Sequence, residues 1–117
     1  MLEFEPEDET PFPHKKITEA IIGSGFEVYK HLGYGFLHRV YQRSLQVELT
    51  RRGLSGDLEK RTTVRYKDVV LVEIKIAPQY DKRDEAQLLN VLKATGLKVG
   101  ILLNFGRYKV EFKRLIF

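Results

Sequence analysis

The chain has 117 residues, 43% of them hydrophobic and 11% aromatic, which suits one domain of ordinary globular composition with a small core. It has no cysteine, which excludes disulfides, thiolate metal sites and a cysteine nucleophile, and no apolar run approaches the length of a membrane span or the core of a signal peptide. A soluble, cytoplasmic protein without membrane contact is the expectation.

The net charge of +4 is unevenly distributed. Glu3, Glu5, Glu7, Asp8 and Glu9 precede every base; from residue 11 onward the twenty Lys and Arg outnumber the remaining eleven Asp and Glu, a formal +9. A basic body of this kind attracts polyanions, nucleic acid first among them, although a basic solvated surface is the plainer reading of charge alone. With Pro6, Pro11 and Pro13 in its acidic run, segment 1–13 reads as a flexible arm and 14–117 as the single domain.

From Lys15 to Leu32 the apolar positions Ile17, Ile21, Gly25, Val28 and Leu32, joined by Ala20 and Tyr29, follow helical spacing. Gly23 and Gly25 each cost such a helix about 1 kcal/mol relative to Ala, so they are expected to admit a closely packed neighbour. Gly33 stops it, Gly33 to Gly35 makes a tight link, and a second helix follows from about Leu37 to Arg52, its buried stripe Leu37, Val40, Tyr41, Ser44, Leu45 and Leu49. So short a link predicts a helical hairpin.

Gly53 to Gly56 reads as a loop, Arg61 to Lys67 as an alternating strand, and Lys67-Asp68 as a turn. The strand Val69 to Ile76, V-V-L-V-E-I-K-I, is the centre of the pattern. Val70, Val72, Ile74 and Ile76 share one apolar face; Val69, Leu71, Glu73 and Lys75 share the other. Glu73 and Lys75 therefore either mark where a buried strand leaves the core as a salt-bridged end, or line a site.

After Pro78 a helix is expected from Asp84 to Thr95, with acids at its start and Gly96 at its end. A buried strand follows over Lys98 to Asn104, then a turn containing Asn104, Phe105 and Gly106, and a last strand over Lys109 to Phe117. The order α-α-β-β-α-β-β predicts an α/β (α+β) domain: a mixed sheet of about four strands flanked by helices. The unit from Val69 to Asn104 should make a parallel crossover that puts Glu73, Lys75 and Asn104 near one edge.

Four blocks together resemble a known family: G-Y-G-F-L-H-R-V-Y-Q-R-S-L-Q-V-E-L at 33–49, V-E-I-K at 72–75, Q-L-L-N-V-L-K-A-T-G-L-K-V-G at 87–100, and L-L-N-F-G-R-Y-K-V-E-F-K-R-L-I-F at 102–117. In order and content they are similar to the bacterial and archaeal GxxExxY proteins of the PD-(D/E)XK nuclease superfamily. The resemblance implies a restriction-endonuclease-like core and phosphodiester hydrolysis, with Mg²⁺ or Mn²⁺ held by carboxylates and a Lys that helps orient or deprotonate water. Carried over by position, the catalytic set is Glu73, Lys75 and Gln87, with Glu73 a metal ligand. Gly35 and Tyr41 match the family's name motif, whereas His38 stands at its glutamate and Val91 at a tyrosine that usually follows the helix glutamine. The stretch that bears the superfamily's metal-binding aspartate is missing between Tyr66 and the Glu73 strand, which marks a shortened, degenerate member. Asp68 is the nearby acid and a candidate second ligand, but five extended residues separate its Cα from that of Glu73 by roughly 16 Å.

Arg61, Arg65 and Lys67 form a candidate nucleic-acid-binding run, with a solvated basic face as its alternative. A hydrogen-bonded or exposed role fits His38 better than metal ligation. Two functional readings stand from this: a metal-dependent nuclease on DNA or RNA, or a non-catalytic nucleic-acid-binding or oligomerisation module on the same fold, with a second copy of the chain as a candidate partner.

Overall fold

The structure, a computed structural model, describes residues 14–54, 70–117 and the strand backbone at 56–58 and 63–66. The acidic arm, Arg61, Lys67, Asp68 and the turn before the central strand lie outside the described residues.

Helix α1, Lys15–Leu32, and helix α2, His38–Arg51, form as their spacing predicts and pack on each other. Their buried faces differ in part from the expected stripes. Thr18, Ile22 and Ser24 are buried on α1 alongside Ile21, Gly25 and Val28, because a helix covered by both a sheet and a second helix buries more than one narrow stripe. On α2, Gln42 joins Tyr41, Leu45 and Leu49, whereas Leu37 precedes the first turn and is 73% exposed.

The strands are β1 Gly56–Leu58, β2 Thr63–Tyr66, β3 Val70–Lys75, β4 Val99–Phe105 and β5 Val110–Ile116, with helix α3, Arg83–Thr95, between β3 and β4. The described sheet has five strands in the order β1-β2-β3-β4-β5. It exceeds the expected count by β1, whose three residues begin inside the stretch read as a loop: so short a strand has no periodicity to detect, and its pairing with β2 defines it. β1, β2 and β3 form an antiparallel meander, β3 and β4 are parallel across α3, and β5 returns antiparallel to β4.

Each sheet face has its own cover. Val70, Val72 and Ile74 of β3, with Val99, Ile101, Leu103 and Phe105 of β4, meet α1 and α2. On the opposite face Leu71, Leu102 and Leu115 meet Leu88 and Leu92 of α3. β4 is thus buried along all seven residues, which is why it reads as an unbroken apolar run. Asn104 and Phe105, expected in a turn, are the last two residues of this strand and are almost wholly enclosed; the turn begins at Gly106.

Candidate active site at the end of the central strand

The β3 alternation that turns Leu71 toward α3 also turns Glu73 and Lys75 that way, where the apolar layer gives out. Helix α3 starts over this point. Asp84, in its first turn, and Gln87, three residues further on, share a face, and Leu88 and Leu92 on the same side anchor the helix to the sheet.

Three side chains consequently converge on one nitrogen, the Lys75 ammonium. Lys75 Nζ donates to Gln87 Oε1 at 3.1 Å and lies 3.8 Å from Glu73 Oε2 and 3.8 Å from Asp84 Oδ1. The Glu73 side chain is 4% exposed, while those of Lys75 and Asp84 are 27% and 26% exposed. One ammonium between two carboxylates leaves the cluster with a formal charge of −1. Lys75 and Asp84 are its partly exposed members, and Glu73 is the buried acid.

The surrounding backbone is clamped. Asn104, the register partner of Lys75, uses its amide as an extra rung: Oδ1 accepts from Ala77 N–H and Nδ2 donates to Ala77 C=O, both at 3.1 Å. This continues the β3–β4 pairing two residues beyond Lys75. On the other side of β3, the described register with β2 ends at Thr63 opposite Glu73, and His38 Nε2 lies 3.0 Å from the Ile74 carbonyl. Because a carbonyl only accepts, Nε2 carries the proton there. His38 is thus hydrogen-bonded to the backbone between Glu73 and Lys75.

Tyr41 and Gly35, of the family's name motif, lie apart from the cluster. Tyr41 is fully buried in the α1–α2 core, its hydroxyl donating to Gly33 C=O at 2.6 Å and its ring stacked on Phe105 with centroids 4.5 Å apart. Gly35 has φ 111°, a conformation open to glycine, which makes the interhelix link. Arg65 stands on β2 opposite Leu71. Asp84 was absent from the expected site. The first-turn acids of α3 have an evident role beside the helix N-terminus, and only the position of Asp84 three residues before Gln87 signalled that it shares that residue's face.

A sequence model of the PD-(D/E)XK nuclease superfamily matches residues 15–71 and 67–115, nearly the whole chain. The chain belongs to the PD-(D/E)XK nuclease superfamily. No curated protein and no solved structure matches it. Superfamily nucleases generally use Mg²⁺ or Mn²⁺, so the cluster has to be tested as an ion site. Among the described residues no three His, Asp or Glu side chains are gathered as ligands, and the residue opposite Glu73 on β2 is Thr63 rather than an acid. The oxygens of Glu73, Asp84 and Gln87 are of the kind a hard cation takes, but all three are directed at the Lys75 ammonium. The described residues of this PD-(D/E)XK chain therefore do not by themselves fit a divalent ion, and the cation held by the cluster is Lys75.

Below the cluster the chain enters α3 through a compact turn. Asp81 Oδ1 accepts from the Arg83 amide at 2.9 Å, and both carboxylate oxygens accept from the Arg83 guanidinium. These side-chain bonds first, and the backbone bond second, lower the Asp81 carboxyl to about 2. Tyr80 donates its hydroxyl to Glu85 at 2.7 Å. Burial first, then this bond and the charges of Glu85, Asp84 and Glu111, push its phenol well above the ordinary tyrosine range.

Proposed function

We propose that the chain acts on the phosphodiester backbone of DNA or RNA, with Glu73, Lys75 and Gln87 as its catalytic residues. The observation that carries this reading is the Lys75 ammonium, held by Glu73, Asp84 and Gln87 where two parallel strands end beneath the first turn of α3. Lys75 meets the phosphate and orients the attacking water, and Gln87 positions Lys75; as water oxygen bonds to phosphorus its proton passes to Glu73, while the P–O ester bond breaks and the departing alkoxide takes a proton from solvent. Superfamily membership supports the reaction class. Arg61, Arg65 and Lys67 are proposed to contact the flanking phosphates. If cleavage depends on Mg²⁺ or Mn²⁺, a further carboxylate beside Glu73 is needed; Asp68 is proposed for it on the condition that the chain bends back at that residue, since an extended strand would hold the two too far apart to share one ion.

The test is cleavage of single- and double-stranded DNA and RNA with chelator, Mg²⁺ or Mn²⁺. Activity lowered about a hundredfold or more by Glu73→Ala and by Lys75→Ala supports the proposal. Activity untouched by both changes, or absent on every substrate with every ion, sinks it. A second reading, binding without cleavage, is favoured by Thr63 opposite Glu73 and by the absence of a ligand trio among the described residues. It predicts salt-sensitive retention of nucleic acid that survives Glu73→Ala, and failure to bind at low salt would end it.

A further inference from the structure

β5 is the last strand of the described sheet and runs seven residues without a bulge, in continuous register with β4 from Val99↔Ile116 to Phe105↔Val110. Which of its backbone groups face outward follows from the bonds at its two ends. Phe117 N–H donates to Lys98 C=O at 2.8 Å, and Gly106 N–H donates to Lys109 C=O at 3.0 Å. In an antiparallel ladder such pairs recur at every second residue, so 109, 111, 113, 115 and 117 bond inward. Val110, Phe112, Arg114 and Ile116 consequently turn their N–H and C=O groups away from β4, to an edge that no described strand covers. Their side chains add apolar surface there: Phe112 is 39% exposed and Ile116 49%, and Phe26 of α1, 47% exposed, lies edge-on to Phe112 at 6.1 Å.

A long, unbulged edge of this kind is a template for another strand. The charges on β5 decide which strand. In an antiparallel pairing of β5 with a second β5, hydrogen-bonded pairs can form only between outward-facing residues, and this leaves few registers around a two-fold axis. Centring on Glu111, Lys113 or Arg114 sets like charges directly opposite each other. Centring on Phe112 instead sets Glu111 against the partner's Lys113 twice, in the non-hydrogen-bonded pairs where side chains approach most closely. It also sets Phe112 against its own symmetry mate, with Phe26 beside each ring.

We infer that β5 is a homodimer interface: two copies pair through this edge, antiparallel and centred on Phe112, and join their sheets. The β3–α3 cluster is not part of the contact, so the inference stands apart from the phosphodiester reading.

The experiment is light scattering and sedimentation of the full chain across concentration, together with cross-linking. The wild type is expected at twice 13.7 kDa. Lys113→Glu places Glu opposite Glu111 and is expected to weaken the dimer about tenfold or more. Glu111→Lys should do the same, and the double exchange E111K/K113E should restore it. Glu111 also accepts the Tyr80 amide at 3.1 Å, so its variants could misfold; a second measurement avoids that residue. The chain has no cysteine, and Phe112→Cys brings two thiols opposite one another at about 5.5 Å between Cα atoms, within disulfide reach. Mild oxidation should give a covalent dimer from Phe112→Cys and little from Arg114→Cys. A monomer at all concentrations, a dimer indifferent to Lys113→Glu, or equal cross-linking at 112 and 114 would overturn the inference.

Discussion

Lys75 is the residue on which the candidate site turns, because Glu73 behind it is nearly enclosed and has the Lys75 ammonium as an ion-pair partner. Lys75→Met removes the charge while keeping the stem, and is expected to cost about 1–3 kcal/mol in urea unfolding, since a nearly enclosed carboxylate then loses this ion pair. Asp84→Asn, a change at a partly open position, should cost less than about 1 kcal/mol. If the two losses were equal, the buried pair would not be the stronger contact. Asp81 belongs to the same scale. Its lowered carboxyl contributes stability above the ordinary value of 3.8, and that contribution fades as pH falls from there through about 2. A carbon-detected titration should place the Asp81 midpoint near 2, and Arg83→Ala should return it toward 3.8. Tyr80 has the opposite sign: its raised phenol favours the folded state until pH rises past the ordinary tyrosine value of 10.0, beyond which the stabilisation declines. Tyr80→Phe should remove that alkaline dependence from the unfolding free energy.

Between elements, close approach is set by glycine. A Cβ on Gly100 of β4 would sit 3.1 Å from Leu88 Cδ2 and 3.1 Å from Leu92 Cδ1, and one on Gly25 of α1 would sit 3.3 Å from Leu103. Gly100→Ala pushes on the two anchors of α3 and is expected to destabilise by about 1–3 kcal/mol. Because Asp84 and Gln87 share that helix, it should also weaken any cleavage activity while leaving every cluster residue in place. Comparing Gly100→Ala with wild type at a temperature where both are folded separates the two effects. Gly25→Ala is a different case. The roughly 1 kcal/mol gained in helix propensity opposes the tight contact with Leu103, so its net effect should be small. The Asn104 amide links the strands in a different way, by hydrogen bonds, and Asn104→Ala would leave both backbone groups of Ala77 without that side-chain partner.

On the scale of the whole molecule, a sheet covered by α1 and α2 on one face and α3 on the other offers its openings at strand ends and edges. The formal +9 of residues 11–117 then bears on how a polyanion is held. Binding of duplex through about four phosphate contacts should weaken on the order of a hundredfold between 50 and 200 mM salt, measurable by fluorescence anisotropy. A salt-independent affinity would exclude that mode.

The sequence by itself determined the three helices, the two long buried strands, the parallel unit across α3, and the placing of Glu73 and Lys75 on one face of β3. Each is written in local signals: 3.6-residue and two-residue spacing, glycine stops and continuous apolar runs. Four blocks in order were also enough to point to the superfamily. The tertiary structure decided which neighbours those residues meet. Only packing α3 onto Leu71, Leu102 and Leu115 brought Asp84 to Lys75, only the β3–β4 register made Asn104 a rung instead of a turn residue, and only pairing with β2 made 56–58 a strand. Contacts between residues distant in sequence depend on register and on the distance between layers, neither of which is encoded by periodicity along one segment.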